Sequence, residues 1–496
     1  MNIKNKAIVI GSGIGGMASA IRLAVMGFEV LVFEKNGYPG GKLSHLKKDG
    51  YQFDAGPSLF TQPELIEELF TLANEPIADY FQYEPVPISC KYFYEDGSIV
   101  NAYTNRDDFA SELEDKLGED GNKLKEYLAQ SATTYNDLGS IFLNYPVHKF
   151  STLFKAPIRK AFKAVRSAFL FKTLHQVNKA SFTKPNTVQL FNRYATFNGS
   201  NPYKAPGMLI LIPHLDNNIG TFYPKGGMIS ITNALFKLAK KKGVKFHFDC
   251  PVVEIITEYD VTKSVVVNGY TVDADVIVSN MDVYFTYKIL LKNDFKAKKI
   301  LAQERSSSAF IFYWGINASF PQLELHNVFF AADYKAEFDA LFKTKTLYAD
   351  PTVYVNITSK CEPDVHAPNR KENWFVMVNA PRNVGQNWVD YQAEYRKAII
   401  GKLNRLLKTD IEPLIEVEEI LNPLMIESNT TSYMGSLYGS SSNGKMSAFM
   451  RHPNCSRNIK GLYFVGGSVH PGGGIPLCLQ GAKIMAGLVQ EDYEMD

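Results

Sequence analysis

Short apolar runs bounded by glycine or by an acid recur along this chain, and their lengths separate strands from helices. Lys6-Ala7-Ile8-Val9-Ile10 is apolar on successive rather than alternate residues, which predicts a parallel strand buried on both faces. A glycine turn follows, then a helical stretch over 17–26, then a second continuous run, Glu29-Val30-Leu31-Val32-Phe33. The same strand, turn and helix return near the other end. Residues 462–465 predict a buried strand, glycines follow, and a helix opens at Ile475-Pro476, where proline fits a first turn. Between the two ends the pattern changes. Residues 91–103 predict a hairpin turning at Asp96-Gly97, and 308–315, 352–357 and 374–378 predict strands of one antiparallel sheet. The fold class expected is α/β: a discontinuous Rossmann-type domain with an α+β second domain of mixed or antiparallel sheet plus helices. Ser440-Ser441-Ser442-Asn443-Gly444 has the composition of a mobile loop.

The first turn reads Gly11-Ser12-Gly13-Ile14-Gly15-Gly16, with glycines at the spacing GxGxxG. Gly11 permits the tight turn, Gly13 lets backbone N–H groups approach a pyrophosphate, and Gly16 lets helix and strand pack closely. A helix N-terminus adds unpaired donors and positive partial charge. Glu34 ends the second strand, near the spacing of about 20 residues expected for an acid that binds ribose hydroxyls, with Lys35 beside it. Its carboxylate would repel a 2′-phosphate, which disfavours NADP. The second glycine-rich passage, from Gly466 to Gly474, implies another close approach of backbone to an anionic or planar ligand.

Charge changes the picture in one place. The net charge is only +2, but no Asp or Glu occurs from 138 to 215, where eleven Lys and Arg do. Inside that stretch Phe154, Ile158, Phe162, Val165 and Phe169 share one helical face, with Lys155, Arg159, Lys163 and Arg166 to the other side. Residues 140–180 are therefore expected to be a basic amphipathic region. It suits an anionic bilayer surface or, alternatively, packs on the protein's own core with a solvated basic face. A local basic patch points away from general nucleic-acid binding. The five cysteines are scattered with no CxxC, so a reducing, cytoplasmic setting without disulfides or zinc is expected. No run of about 18 apolar residues predicts a spanning helix.

Downstream of the second strand the chain reads Pro39-Gly40-Gly41-Lys42 and then Phe53-Asp54-Ala55-Gly56-Pro57-Ser58. These segments resemble the GG doublet and FDxGPS segment of the flavin amine oxidase and phytoene desaturase superfamily. Phe222-Tyr-Pro-Lys-Gly-Gly-Met228 resembles its YPxGGM segment, and the tail from Gly466 to Pro476 is similar to that of carotenoid desaturases. Leu477 and Cys478 depart from the small residues usual there, and Lys42 replaces the usual Arg. The stretches 192–203, 326–330, 438–439 and 448–453 look most like the 1-hydroxycarotenoid 3,4-desaturase branch.

The resemblance implies an FAD-dependent oxidoreductase that introduces a C–C double bond into a carotenoid. It implies that FAD contacts Gly11, Ser12, Gly13, Ile14, Gly15, Gly16, Glu34, Lys35, Gly41, Lys42, Gly56, Pro57, Ser58, Val253, Asn280, Gly466, Gly467, Gly474, Ile475 and Pro476. It also implies an FAD-binding domain over 1–85, 222–296 and 422–496, with a substrate domain over 86–221 and 297–421. Candidates near the reacting carbons are Arg193, Tyr194, Phe197, His214 and Trp314. No dedicated catalytic acid or base is expected, because a polyene delocalises developing charge. The implied partners are a lipophilic carotenoid, the inner face of the cell membrane as a peripheral contact, and an external electron acceptor, oxygen or a quinone. Four other readings stay open: an acyclic phytoene desaturase, a non-redox FAD-dependent carotene isomerase, an amine oxidase, whose usual aromatic cage has no counterpart in the motifs, and a non-catalytic carotenoid carrier.

Overall fold

The computed structural model describes residues 5–139, 145, 169, 171–301, 303–444, 447 and 451–493. The chain opens with β1 (Lys6–Ile10), α1 (Ile14–Val25) and β2 (Glu29–Phe33), then leaves for the hairpin β3 (Ile88–Phe93) and β4 (Ile99–Tyr103). It returns with β5 (Lys245–His247) and β6 (Val276–Ser279). A second excursion contains β7 (Ser308–Ile316), β8 (His326–Phe329), β9 (Val353–Asn356), β10 (Glu372–Ala380) and β11 (Ile415–Leu421). β12 (Leu462–Phe464) and α2 (Ile475–Asp492) close the chain.

Two sheets carry the architecture. The first has the order β12-β6-β1-β2-β5 and is parallel at every pairing. Ile8 is flanked by Leu31 and Ile277, and Ile277 by Leu462, so strands from both ends of the sequence meet edge to edge. Ala7 to Ile10 are at most 4% exposed, as a strand covered on both faces requires. Helix α1 starts three residues earlier than the expected 17–26, because Ile14, Gly15 and Gly16 already form its first turn. A β-carbon on Gly16 would lie 2.1 Å from the Gly11 carbonyl oxygen, so only glycine lets the helix lie this close to the turn.

The second sheet has the order β11-β7-β10-β9-β8-β3-β4. It is mixed rather than wholly antiparallel, since β8 pairs with β3 in parallel. One row of paired residues crosses it: Tyr92, Val328, Tyr354, Met377, Ile311 and Leu421. These residues share one face, which packs toward Phe191, Tyr194, Met208 and Leu209. The opposite face carries Phe310, Phe312 and Trp314 against the helix Trp388–Leu407.

The serine loop differs from its expectation. Ser440, Ser441 and Ser442 are at most 4% exposed. Ser440 Oγ donates to Gln303 at 2.8 Å, and Glu304 accepts from Ser441 Oγ at 3.1 Å and from Asn443 Nδ2 at 2.6 Å. Hydroxyls that composition assigns to a mobile segment are here buried and hydrogen-bonded. The amphipathic pattern over 154–166 lies outside the described residues; Phe169, at its end, is buried. Among the described residues no helix is long and apolar enough to cross a membrane.

Candidate active site

A continuous cavity of about 1110 Å³ runs between the two sheets. That exceeds the roughly 300–1,000 Å³ usual for a single small-molecule site. At one end its wall is made by Gly11, Gly13, Ile14 and Gly15, with Glu34 and Lys35 at the tip of β2. Gly11 adopts φ +93°, and α1 has no side-chain cap, so its first N–H groups remain available. Glu34 is held rigidly: Oε2 accepts from the Ser12 N–H at 2.8 Å and Ser12 Oγ at 2.9 Å, and Oε1 from the Asn36 N–H at 2.9 Å. A carboxylate has about four acceptor sites, so one is left for a ribose hydroxyl.

The two glycine turns converge on Asn280, at the end of β6. A β-carbon on Gly13 would lie 2.7 Å from Asn280 Nδ2, and one on Gly466 2.8 Å from its Oδ1. The Asn280 N–H donates to the Ile10 carbonyl at 2.9 Å, fixing the side chain between turns 450 residues apart in sequence. Gly466, Gly467, Gly474, Ile475 and Pro476 line the cavity beside it. At Gly474, with φ +111°, a β-carbon would meet no atom within 4 Å, so that glycine borders open space.

The middle of the cavity is electropositive. Lys42 Nζ donates to the Leu437 carbonyl at 2.9 Å, and burial pushes its ammonium down to about 8 against the opposing pull of Asp282. Arg451 donates to the carbonyls of Tyr438 at 2.9 Å, Gly467 at 3.2 Å and Ser440 at 2.8 Å. Burial, and then the nearby Arg305, lower it to about 10. Asp282 forms a buried ion pair with Arg305. An uncapped helix N-terminus, two glycine turns and these cations suit a diphosphate, and Glu34 suits its ribose: the residues fit FAD.

Gly56, Pro57 and Ser58 form part of the wall with Gly41 and Lys42, and Gly56 packs directly on the Lys42 backbone, where a β-carbon would lie 1.9 Å from the Lys42 carbonyl oxygen. Ser58 Oγ and the Tyr354 hydroxyl share a hydrogen bond at 2.8 Å, and that hydroxyl meets His326 Nδ1 at 2.7 Å. His326 is 1% exposed, and burial, then the charge of Arg193, push its imidazole down to about 3, so it is neutral. The wall also carries the apolar Met208, Leu209, Ile212, Val328, Met377 and Phe197, with Arg193 against Phe197.

Four expected site residues stand elsewhere. Trp314 is fully buried on the opposite face of the second sheet, where Nε1 donates to Glu418 at 2.8 Å. Neighbours on a strand alternate faces, so Ile311 and Tyr313 face the cavity and Trp314 cannot. Tyr194 is buried one layer behind, donating to Asp216 at 3.0 Å and accepting from Asn217 at 2.7 Å. His214 packs on the Tyr135 ring and accepts from Asn218 Nδ2 at 2.9 Å, while its neighbour Leu215 reaches the wall. Val253 is 49% exposed, and Pro251 and Val252 line the cavity one residue earlier. Ser12 and Gly16 act behind the wall, one through Glu34 and the other through helix packing. Arg193 and Phe197 do line the cavity. Sequence reasoning missed Tyr354, His326 and Arg451 as site residues; His326 and Arg451 lay in quoted motifs, and Tyr354 in a strand expected on other grounds.

Comparison with known proteins agrees with this geometry. The flavin containing amine oxidoreductase family matches residues 14–489. The 1-hydroxycarotenoid 3,4-desaturase of Flavobacterium sp. (strain P99-3) is 50% identical over 484 residues, 98% of this chain and 99% of that one. The 4,4'-diapolycopene oxygenase of Methylomonas sp is 33% identical over 99% of both chains. Among solved structures, an oxidoreductase from Methanosarcina mazei aligns with a TM-score of 0.63 at 18% identity, over 98% of this chain and 100% of its own. Cyclohexylamine oxidase from Brevibacterium oxydans aligns at 0.62 and 16%, over 99% and 100%; such likeness speaks for the fold. The chain belongs to the flavin containing amine oxidoreductase family, in the same branch as the 1-hydroxycarotenoid 3,4-desaturase, and is an FAD-dependent oxidoreductase.

Proposed function

We propose that this protein desaturates a 1-hydroxycarotenoid between carbons 3 and 4. The observation that carries this reading is a single cavity, polar and glycine-lined at one end and apolar at the other, with the Ser58–Tyr354 pair between. The 50% identical relative is named for that reaction. We place the FAD-binding body at 1–85, 222–296 and 422–496 and the substrate body at 86–221 and 297–421. The glycine turns with Glu34, Lys35, Lys42 and Asn280 hold the ADP half, and Gly56, Pro57, Ser58 and 474–476 border the ring.

The chemistry FAD supplies when bound is acceptance of a hydride from one carbon while a proton leaves its neighbour, turning C–C into C=C. The chain's part is alignment and dryness. Tyr313, whose hydroxyl donates to the Ala55 carbonyl at 3.1 Å, anchors the second sheet to the segment ending in Ser58. Met377, Ile311 and Leu421 continue the apolar wall along the same row. His326 is neutral and bonded to Tyr354, so it offers the substrate no charged base. An external acceptor, oxygen or a quinone, restores the oxidised cofactor. A carotenoid partitions into lipid, so we also infer peripheral contact with the inner face of the cell membrane, supported by the basic composition of 140–180.

Feeding purified holoprotein in liposomes with hydroxylated and non-hydroxylated carotenoids, followed by product analysis, tests the reading. The expected result is one new double bond in the hydroxylated substrate. Desaturation of phytoene, or geometric isomers without any desaturation, would replace it with one of the rival readings.

A further inference from the structure

Lys42, Arg451 and Arg193 all line the cavity. Lys42 and Arg451 donate hydrogen bonds to backbone carbonyls. Arg193 differs. Its guanidinium lies between two rings, with Cζ 5.6 Å from the centre of Tyr92 and 5.2 Å from that of Phe197. Nη1 donates to the Tyr92 hydroxyl at 3.0 Å. No carboxylate forms an ion pair with it among the described residues. Asp216, whose charge reaches it, is already taken up by Tyr194 and Thr221. A guanidinium has five N–H donors, and this one lines a cavity whose wall also includes the apolar Met208, Leu209 and Val328.

Placing a cation against apolar wall is costly unless something accepts its hydrogen bonds. A hydrocarbon accepts none, and a substrate carrying one oxygen near its end does. The location also fits. In a 1-hydroxycarotenoid the hydroxyl is two C–C bonds from carbon 3, so its reader must stand close to the reacting bond. Tyr92, which holds Arg193, is in the same cross-sheet row as Tyr354, two strands or about 10 Å along it. Tyr354 in turn touches Ser58. The charge of Arg193, held at Tyr92, is felt at both Tyr354 and His326.

The geometry points to Arg193 as the specificity-determining residue that donates hydrogen bonds to the substrate's tertiary hydroxyl oxygen, with Tyr92 and Phe197 holding its guanidinium. This rests on the desaturase reading above. A guanidinium held by two rings and one hydroxyl keeps further N–H donors for a ligand, an arrangement a lysine cannot reproduce.

The test is the ratio of kcat/KM for a hydroxylated carotenoid to that for the same polyene without the hydroxyl, using FAD-loaded protein in liposomes. Losing a hydrogen bond from a charged donor lowers that ratio roughly 10- to 100-fold in Arg193→Met. Arg193→Lys is expected to fall between, and Tyr92→Phe, which removes only the anchoring hydroxyl, to lower the ratio severalfold with flavin content intact. A ratio unchanged in both Arg193→Lys and Tyr92→Phe would overturn the assignment. A wild-type protein that desaturates neither compound would overturn the reading beneath it instead, and the two failures are told apart by the wild-type control.

Discussion

Gly16→Ala is the perturbation whose consequence is most directly written in the coordinates. Its β-carbon would lie 2.1 Å from the Gly11 carbonyl oxygen and 3.2 Å from the carbonyl carbon. A C···O contact needs about 3.3 Å or more, so α1 must draw back from the turn by about 1 Å. Both offending atoms are backbone, and the turn is tied to β2 by the Gly11 N–H donation to the Phe33 carbonyl at 2.8 Å, so neither moves freely. Overpacking of this kind costs about 1–3 kcal/mol. The retreat also carries Gly13, Ile14 and Gly15 away from the cavity they line. At 1.4 kcal/mol per factor of ten, FAD affinity is expected to weaken roughly 10- to 100-fold. Titrating deflavinated protein and following flavin fluorescence measures this, with Gly401→Ala as control. Gly401 is exposed in the helix Trp388–Leu407, and a β-carbon there meets nothing within 4 Å. The control is expected to gain about 0.5–1 kcal/mol of stability and to bind FAD as wild type does. Wild-type affinity in Gly16→Ala, with unchanged melting, would refute the close-packing argument.

Lys42 makes FAD affinity depend on pH: in the free protein its ammonium is lowered to about 8, and a neighbouring diphosphate raises it. Below pH 8 both states are protonated and affinity is flat; above it binding must take up a proton, so Kd should climb by up to tenfold per unit, and Lys42→Met should abolish the slope. Asp54 makes stability, rather than affinity, fall with rising pH. Burial pushes its carboxyl up to about 7 from 3.8, so the folded state holds a proton that the unfolded chain releases. Its contribution should therefore fall as pH climbs from about 4 to 7, a dependence that melting curves of Asp54→Asn should lack. Trp314→Phe removes a donor from Glu418 on the far face of the sheet and should cost about 1–3 kcal/mol of stability, lowering the melting temperature without changing KM for the carotenoid.

What could be read from sequence follows from where the backbone itself is the functional group. The Gly11–Gly16 turn, Glu34 and the 466–476 passage are legible because glycine spacing reports backbone approach, which needs no knowledge of tertiary neighbours. Trp314 shows the opposite case. All nine residues of β7 are buried, so the strand has no polar alternation to reveal which parity faces the cavity. Tyr354 is hidden for the same reason, on a strand whose four residues are all buried. Ser440 to Ser442 mislead because they find partners far away in sequence: the Ser440 and Ser441 hydroxyls at Gln303 and Glu304, and the Ser442 N–H at the Ser200 hydroxyl. Val253 misses by one residue at a strand start, where Val252 is buried and Val253 exposed. Arg193 was visible as an arginine in an acid-free stretch, but its isolation from carboxylates became meaningful only once Tyr92 and Phe197 were seen to enclose it.

The central claim is that FAD and a polyene share one cavity and that electrons pass directly between them. Anaerobic single-turnover mixing of holoprotein with a 1-hydroxycarotenoid in liposomes, reading flavin absorbance and then product, tests it most directly. The expected result is one new carbon–carbon double bond for each flavin bleached. Product formed with no bleaching, or bleaching with no new double bond, would contradict it.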